Sequence, residues 1–461
     1  MKSFDVVVLG SGPGGYVAAI RAAQLGLAVA IVEKREMGGV CLNRGCIPSK
    51  AVLKAASIVH RLKHFGEMGI DVELKGLDGG KAVVRAKKIS AKISKGVEFL
   101  MKKNSITVLR GLGHLESERS LSVETVEGKQ TINFQNLIIA TGAKYRSFPG
   151  LVHDGKRLIG AWEATQLEKL PSSVGIIGAG AIGVEFAYFW NAFGVQVELF
   201  ELQPRLLPLE DEECSRELEK YYKKYGIRMS LGVKDISARN TGQEVAIEYT
   251  LSGKKQKSTF DMALIAVGMV GVSGGFGLEK LGIEKDGDFI KVNDRGQTNL
   301  SHIYAVGDVS GPPLLAHAAS HEGIIAAEHI AGLEPRPIDK KNIPACTYCS
   351  PQVASVGHTE RELMEKGVPY KVGKIPFSAN GKALAGGEAE GFIKVLMGEH
   401  GQMLGAHIVS PEASELIHEY TLFKTMEGID EEIYSTIHPH PTLGEWLSEA
   451  VMAAKNRALH F

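Results

Sequence analysis

The chain has 461 residues, enough for about three domains of ordinary size. Lysine plus arginine and aspartate plus glutamate each total 53, and this balance argues against a surface built to bind nucleic acid or an anionic membrane. With 44% hydrophobic and 23% charged residues, disorder is excluded and a large core is expected.

In chain order, 4–9 (FDVVVL) reads as a short buried strand leading into Gly10-Ser11-Gly12-Pro13-Gly14-Gly15. Tyr16–Leu25 has helical character and stops at Gly26, and Ala28–Val32 is a second apolar strand closing on Glu33. The pattern recurs. Val174–Ile177 reads as a strand, Gly178–Gly183 (GAGAIG) as a turn, Val184–Phe193 as a helix, and Gln196–Phe200 as a strand closing on Glu201. Both acidic residues stand 18 positions after the third motif glycine. The apolar runs Leu137–Gly142 and Leu264–Gly268 form a second matched pair, and 298–308 is a further strand running to Asp308. Beyond about Ile343 the pattern changes to alternating strands near 352–358, 370–377 and 392–409, then a helix from Ala413 to Glu427.

A G-x-G-x-x-G turn between strand and helix, followed by an acidic residue about 20 positions on, is the context of a dinucleotide site. The first glycine permits the turn, the second lets a pyrophosphate approach, and the third lets helix and strand pack. Two such units imply two dinucleotides, with Glu33 and Glu201 accepting from ribose hydroxyls. A carboxylate at Glu201 repels a 2′-phosphate and so favours NAD over NADP.

Glycine is abundant, 54 of 461 residues against a usual share of about 7%. The five cysteines, at 41, 46, 214, 346 and 349, are too few and scattered for a secreted disulfide scaffold. No secretory leader is visible before the first strand, and the longest uncharged stretch, Leu170–Val184, is too short and glycine-rich to span a bilayer. Cys41 and Cys46 lie five residues apart, which in a regular helix is an axial rise of about 7.5 Å, too far for a disulfide. If they pair, the segment is irregular there, and Gly45 permits that. Pro48 suits a first helical turn, placing Cys46 near a helix N-terminus where a thiolate is favoured. Cys346-Thr347-Tyr348-Cys349 has C-x-x-C spacing, but in a strand i and i+3 face opposite ways and no second ligand pair follows, so buried thiols are expected rather than a metal site.

The segment GGVCLNRGCIPSK (38–50) resembles the signature of the FAD-dependent pyridine nucleotide–disulfide oxidoreductases, most closely their dihydrolipoamide dehydrogenase branch. The likeness covers essentially the whole chain, through GAGAIGVEF at 178–186, TNLSHIYAVGD, Leu315–Ala318, PFSANGKALA at 376–385 and HPHPTLGE at 438–445. It implies an α/β fold of two Rossmann-like dinucleotide-binding domains plus a C-terminal α+β dimerisation domain. The expected divisions are 1–148 for FAD, 149–270 for NAD, 271–344 completing the FAD site, and 345–461 for the interface.

The same resemblance implies residue roles. Cys41 exchanges with substrate, Cys46 is the thiolate beside the flavin, and Lys50 pairs with Glu185 near the reactive flavin nitrogen. His440 is the general base, supported by Glu445; His438 is the weaker candidate. FAD is expected on Gly10, Gly12, Gly15, Glu33, Lys50, Gly113, Thr141, Gly142, Asp308 and Ala316, and NAD on Gly178, Gly180, Ile182, Gly183, Glu201 and Gly268. No metal is expected. The implied partners are a second copy of the chain, whose cysteine pair His440 and Glu445 would reach, and a lipoylated acyltransferase (E2) or lipoyl carrier protein of 2-oxoacid dehydrogenase complexes. A bacterial cytoplasm or an organelle matrix fits such a chain. Two alternatives stand beside this reading: a related NAD(P)H-dependent disulfide reductase, and a flavoprotein docking subunit without catalysis. The sequence departs from the family pattern at Val40, at Arg44, and in Met269–Ser273, where an Arg-x-Pro-Asn run is usual.

Overall fold

The computed structural model describes residues 2–62 and 64–461. Its contacts divide the chain into two compact units, one of Met1–Ala51, Val83–Ser147 and Gly268–Ile338, the other of Val52–Ala82, Phe148–Val267 and Asp339–Phe461. Among the described residues no helix is long and apolar enough to cross a membrane.

The first unit is built around β1 (Lys2–Leu9), α1 (Pro13–Gln24) and β2 (Val29–Glu33), followed by α2 (Gly39–Arg44) and the opening residues, as far as Ala51, of α3 (Cys46–Leu62). Val6, Val7 and Val8 have no exposed surface, as a strand covered on both faces of a parallel sheet requires. β1 pairs in parallel with β2 on one side and with Gly128–Ile139 on the other, and Ile303–Ala305 joins beyond that strand, also parallel. Thr107–Arg110 pairs in parallel with the outer side of β2, and an antiparallel extension through Ser120–Thr125 and Leu112–Ser117 completes the seven-stranded sheet. The segment after Gly268 is ordered: Met269–Gly271 pairs antiparallel with Ala143–Tyr145.

The second unit repeats the βαβ pattern with β3 (Ser173–Ile177), α4 (Ala181–Ala192) and β4 (Gln196–Glu201), and continues into α5 (Glu212–Lys224). β3 lies between β4 and Met262–Ile265 in a five-stranded parallel sheet, with a three-stranded antiparallel meander over 234–260. The start of α5 follows from its sequence. Asp211 caps the helix by accepting from the Glu213 amide, Glu212 and Glu213 occupy its first turn, and Lys223 and Lys224 its last, each charge matched to the helix dipole. The C-terminal part is a five-stranded antiparallel sheet. Its core joins sheet residues such as Ile375, Ile393, Val395 and Ile408 to Ile417, Tyr420, Trp446 and Leu447 of the 413–425 and 445–453 helices.

Candidate functional site

The two glycine turns have the same construction. A Cβ added at Gly10 would lie 2.3 Å from Ala140 O, and one at Gly178 would lie 2.4 Å from Ala266 O. At the third glycines, Gly15 and Gly183, it would lie 2.0 and 1.9 Å from the carbonyl oxygens of Gly10 and Gly178. At the second glycines, Gly12 and Gly180, it would meet nothing within 4 Å. The outer glycines are therefore demanded by packing, whereas the middle ones face open space at the N-termini of α1 and α4. Neither helix has a side-chain cap there, so the first-turn amides are available to an anion. Ile182, in the first turn of α4, is 39% exposed although apolar.

The acidic residues close both turns alike. Glu33 Oε2 accepts from the Ser11 amide at 2.9 Å and the Ser11 hydroxyl at 2.7 Å, and Glu201 Oε2 accepts from the Ala179 amide at 2.7 Å. Each second oxygen accepts from the amide two residues on, Arg35 or Gln203. Both carboxylates are nearly buried, yet Glu33 Oε1 and both oxygens of Glu201 keep a lone pair for a ribose hydroxyl.

The cysteine segment leans on the first turn. Gly38 N–H donates to Ser11 O at 3.0 Å, and a Cβ on Gly39 would come within 2.7 Å of Gly12 Cα. Gly38 and Gly39 have φ of +91° and +61°, so the approach needs glycine twice over. α2 carries Cys41 and ends at Gly45, and α3 begins at Cys46. The irregularity that pairing would need is present, at Gly45. Both cysteines are thiols in this structure. A hydrogen bond with Cys46, reinforced by burial, pushes the Cys41 thiol far up, while Lys50 acts to lower it. Asn43 holds the turn by donating to Met37 O and Gly39 O, and Arg44 is paired bidentately with Glu36.

A second helix N-terminus lies beside that of α1. A Cβ on Gly14 would be 3.1 Å from Ala319 O, and one on Gly323 would be 2.4 Å from Gly14 O and 3.2 Å from Ala18 Cβ. The helix Ala316–Ile330 therefore runs parallel to α1 with the two backbones touching, and Ala316 is its first residue. Arg21 and Glu328 bridge the same pair of helices at 2.6 Å. Asp308 lies in the short turn just before, where burial and the neighbouring Glu322 push its carboxyl up to about 6. Glu322 also accepts from the Gly307 amide at 2.6 Å. Two positive helix ends, a glycine with open space and a half-buried carboxyl suit a phosphate-bearing cofactor with hydroxyls.

The remaining candidates are placed as follows. Thr141 donates to Val272 O at 2.8 Å, Gly142 has φ +73°, and Gly268, in the first unit, accepts from the Arg146 amide. Gly113 is buried, with Leu9 Cδ1 2.6 Å from where its Cβ would stand. Glu185 is buried in α4 and accepts from the Tyr348 amide at 2.9 Å. His440 Nδ1 is 3.0 Å from Glu445 Oε2, with the imidazole 80% exposed. His438 turns inward instead, its side chain 9% exposed and Nε2 2.9 Å from Glu419. Cys349 is buried and its thiol donates to Pro351 O, while Cys346 packs against the C-terminal core.

Sequence reasoning missed the Ser11 hydroxyl on Glu33, the Tyr348 amide on Glu185, and the Gly14–Gly323 crossing. Only the first left a local signal, since Ser11 holds the same motif position as Ala179.

Comparison with known proteins agrees with this geometry. Residues 4–323 match the pyridine nucleotide–disulphide oxidoreductase family, and residues 343–451 match its dimerisation domain. Dihydrolipoyl dehydrogenases of Zymomonas mobilis and Bacillus subtilis are 44% and 42% identical to the chain, each over 99% of both sequences. The crystal structure of LpdA from Mycobacterium tuberculosis superposes with a TM-score of 0.90 at 26% identity, covering 99% of each chain. Two duplicated glycine turns, a thiol pair set against the first of them and a dimerisation domain thus describe one thing: the chain belongs to the pyridine nucleotide–disulphide oxidoreductase family.

Proposed function

We propose that this chain oxidises dihydrolipoamide carried on a partner protein and reduces NAD+, as a homodimer that binds FAD. The observation that carries the reading is that Gly38 and Gly39, which lead directly into the Cys41–Gly45–Cys46 segment, are seated on the Ser11–Gly12 turn. It is supported by the full-length similarity to proteins named dihydrolipoyl dehydrogenase.

FAD would be held by the Gly10–Gly15 turn, Glu33, Asp308 and the Ala316 amide, and NAD by the Gly178–Gly183 turn, Ile182 and Glu201. Lys50 and Glu185 would pair beside the flavin, with Thr141, Gly142, Gly113 and Gly268 contributing backbone around the two nucleotides. Bound flavin would supply two-electron transfer between the thiol pair and the nicotinamide.

The protein's own part is thiol–disulfide exchange. In the oxidised enzyme a substrate thiolate attacks Cys41, the Cys41–Cys46 bond breaks, and Cys46 leaves as thiolate. The second substrate thiol, deprotonated by His440, attacks the substrate sulfur of the mixed disulfide. The lipoamide ring closes and Cys41 is released as a thiol. Overall, dihydrolipoamide and NAD+ give lipoamide, NADH and a proton. The hydrogen bond with Cys46 and burial both favour the protonated form of Cys41, and Cys46 is the sulfur assigned to face the flavin. The His440 imidazole is exposed in the single chain, and a partner subunit would cover it. Glu445 would hold the imidazole tautomer and stabilise its protonated form.

The test is NADH formation from dihydrolipoamide by the flavin-loaded protein. Turnover with NAD+ well above that with NADP+ is expected from the Glu201 carboxylate, and a loss of at least about 10³-fold in Cys46→Ser because no disulfide can then form for the substrate thiolate to attack. No turnover with dihydrolipoamide, or an active Cys46→Ser, would overturn the reading.

A further inference from the structure

Lys394 is 1% exposed in the strand Phe392–Met397, in the middle of the C-terminal sheet. A lysine so buried needs partners, and it has three. Its Nζ lies 3.0 and 3.1 Å from the two Asp211 oxygens, 2.9 Å from Glu213 and 2.5 Å from Glu360. Burial alone would lower its pKa, but the carboxylates outweigh burial and raise it.

The surroundings form a matched ladder. Across the sheet Lys394 is paired with Lys374 on one side and His407 on the other, and His407 with Ser355. Against this row stand Glu213, Asp211 and Glu210: Lys374 binds Glu213 at 2.7 Å, Lys394 binds Asp211, and Ser355 bonds to Glu210. One face of the sheet is thus built to grip the start of α5.

That grip lies one loop away from the second glycine turn. Asp211 ends the segment that begins at Glu201, and the segment is tied down along its length. Gln203 N–H donates to Glu201 Oε1, and Leu207 N–H donates to Ala179 O at 2.8 Å. Leu206 and Leu207 are buried, and Leu207 is held at φ +45°, a conformation non-glycine residues keep only when their surroundings enforce it. The Ala179 peptide is therefore clamped on both sides, its amide by Glu201 and its carbonyl by Leu207.

We infer that Lys394 is a positioning residue for the nicotinamide dinucleotide: by fixing Asp211 it fixes the 202–210 loop, and with it Glu201 and the Gly178–Gly183 turn. The inference rests on the reading of that turn as the NAD site. It gives the C-terminal sheet a part in NAD recognition as well as in the fold.

The test is steady-state and half-reaction kinetics of the flavin-loaded Lys394→Met protein. KM for NAD+ should rise at least about 5-fold with kcat within about 2-fold, while anaerobic reduction by dihydrolipoamide keeps its rate. Asp211→Asn keeps an oxygen to cap α5 but removes the charge, and should raise the same KM about 2- to 3-fold. A folded Lys394→Met with unchanged KM, or one in which both half-reactions fall together, overturns the inference while leaving the NAD site standing. If Lys394→Met does not fold, Asp211→Asn decides: an unchanged KM overturns the inference. A wild-type protein that does not respond to NAD+ at all overturns the site reading and the inference together.

Discussion

Glu445 Oε2 lies 3.0 Å from His440 Nδ1, and the bonded imidazole is 80% exposed while the glutamate is only 20% exposed. The carboxylate is thus anchored in the 445–453 helix and the ring projects from it. Such a pair presents an oriented base to whatever covers it. Glu445→Gln should slow reduction by dihydrolipoamide about 10²-fold, the lower range for general base catalysis. Oxidation of NADH with an artificial electron acceptor should be unchanged. Stopped-flow measurement of both half-reactions checks this, and equal losses in the two would exclude a base role.

The glycine turns make a sharper prediction. Gly180→Ala enters open space and should leave the melting temperature within about 2 °C of wild type, while KM for NAD+ rises about 10-fold. Gly183→Ala places a Cβ 1.9 Å from Gly178 O and should cost several kcal/mol, in the range of severe overpacking. Thermal melts and NAD+ titrations on the two proteins separate the roles. A Gly180→Ala protein that binds NAD+ normally would count against that space being the pyrophosphate path.

Glu201 should show two effects at once. Glu201→Gln keeps an acceptor for only one of the Ala179 and Gln203 amides and turns an NH2 on the other, so it should cost about 1–3 kcal/mol of stability. Removal of the charge should narrow the preference for NAD+ over NADP+ about 10-fold. The ratio of kcat/KM for the two cofactors reads this directly.

Glu210 carries a pH signature. Burial, with Asp211 beside it, pushes its carboxyl up to about 7, against a lowering hydrogen bond from Ser355. Its other neighbour is the buried Cys214 thiol. A carboxyl raised in the folded state binds more protons there than in the unfolded chain. Its contribution is therefore most favourable below the ordinary glutamate range and is lost as pH rises to about 7, by at most about 1.4 kcal/mol per pH unit. Glu210→Gln should gain stability relative to wild type as pH rises from 5 to 7, with the difference level above that. Denaturant midpoints across this range test the sign; a difference that shrinks as pH rises would refute it.

Much of this was legible in the sequence because the signals were local and repeated. The duplicated strand–glycine–helix–acid spacing gave both turns, and even the apolar runs ending near Gly142 and Gly268 proved equivalent, since Ala140 and Ala266 supply the same carbonyl to Gly10 and Gly178. The Cys41–Cys46 spacing called for an irregular segment if the two pair, and the structure breaks the helix at Gly45. What stayed hidden depends on tertiary contact. Gly14 meets Gly323 from far along the chain, and neither residue's neighbours announce it. Lys394 sits in GFIKVL, where a lone lysine reads as an exposed position on an alternating strand. Its three carboxylate partners come from two other segments. Met269–Gly271 lacks the expected arginine and proline, yet finds a strand partner in Ala143–Tyr145.

The helix break at Gly45 has a mechanical consequence. Because Cys41 and Cys46 stand on separate helices yet within hydrogen-bond reach, a bond between them would ask for less backbone movement than within one continuous helix. An uninterrupted helix would have to unwind at every cycle.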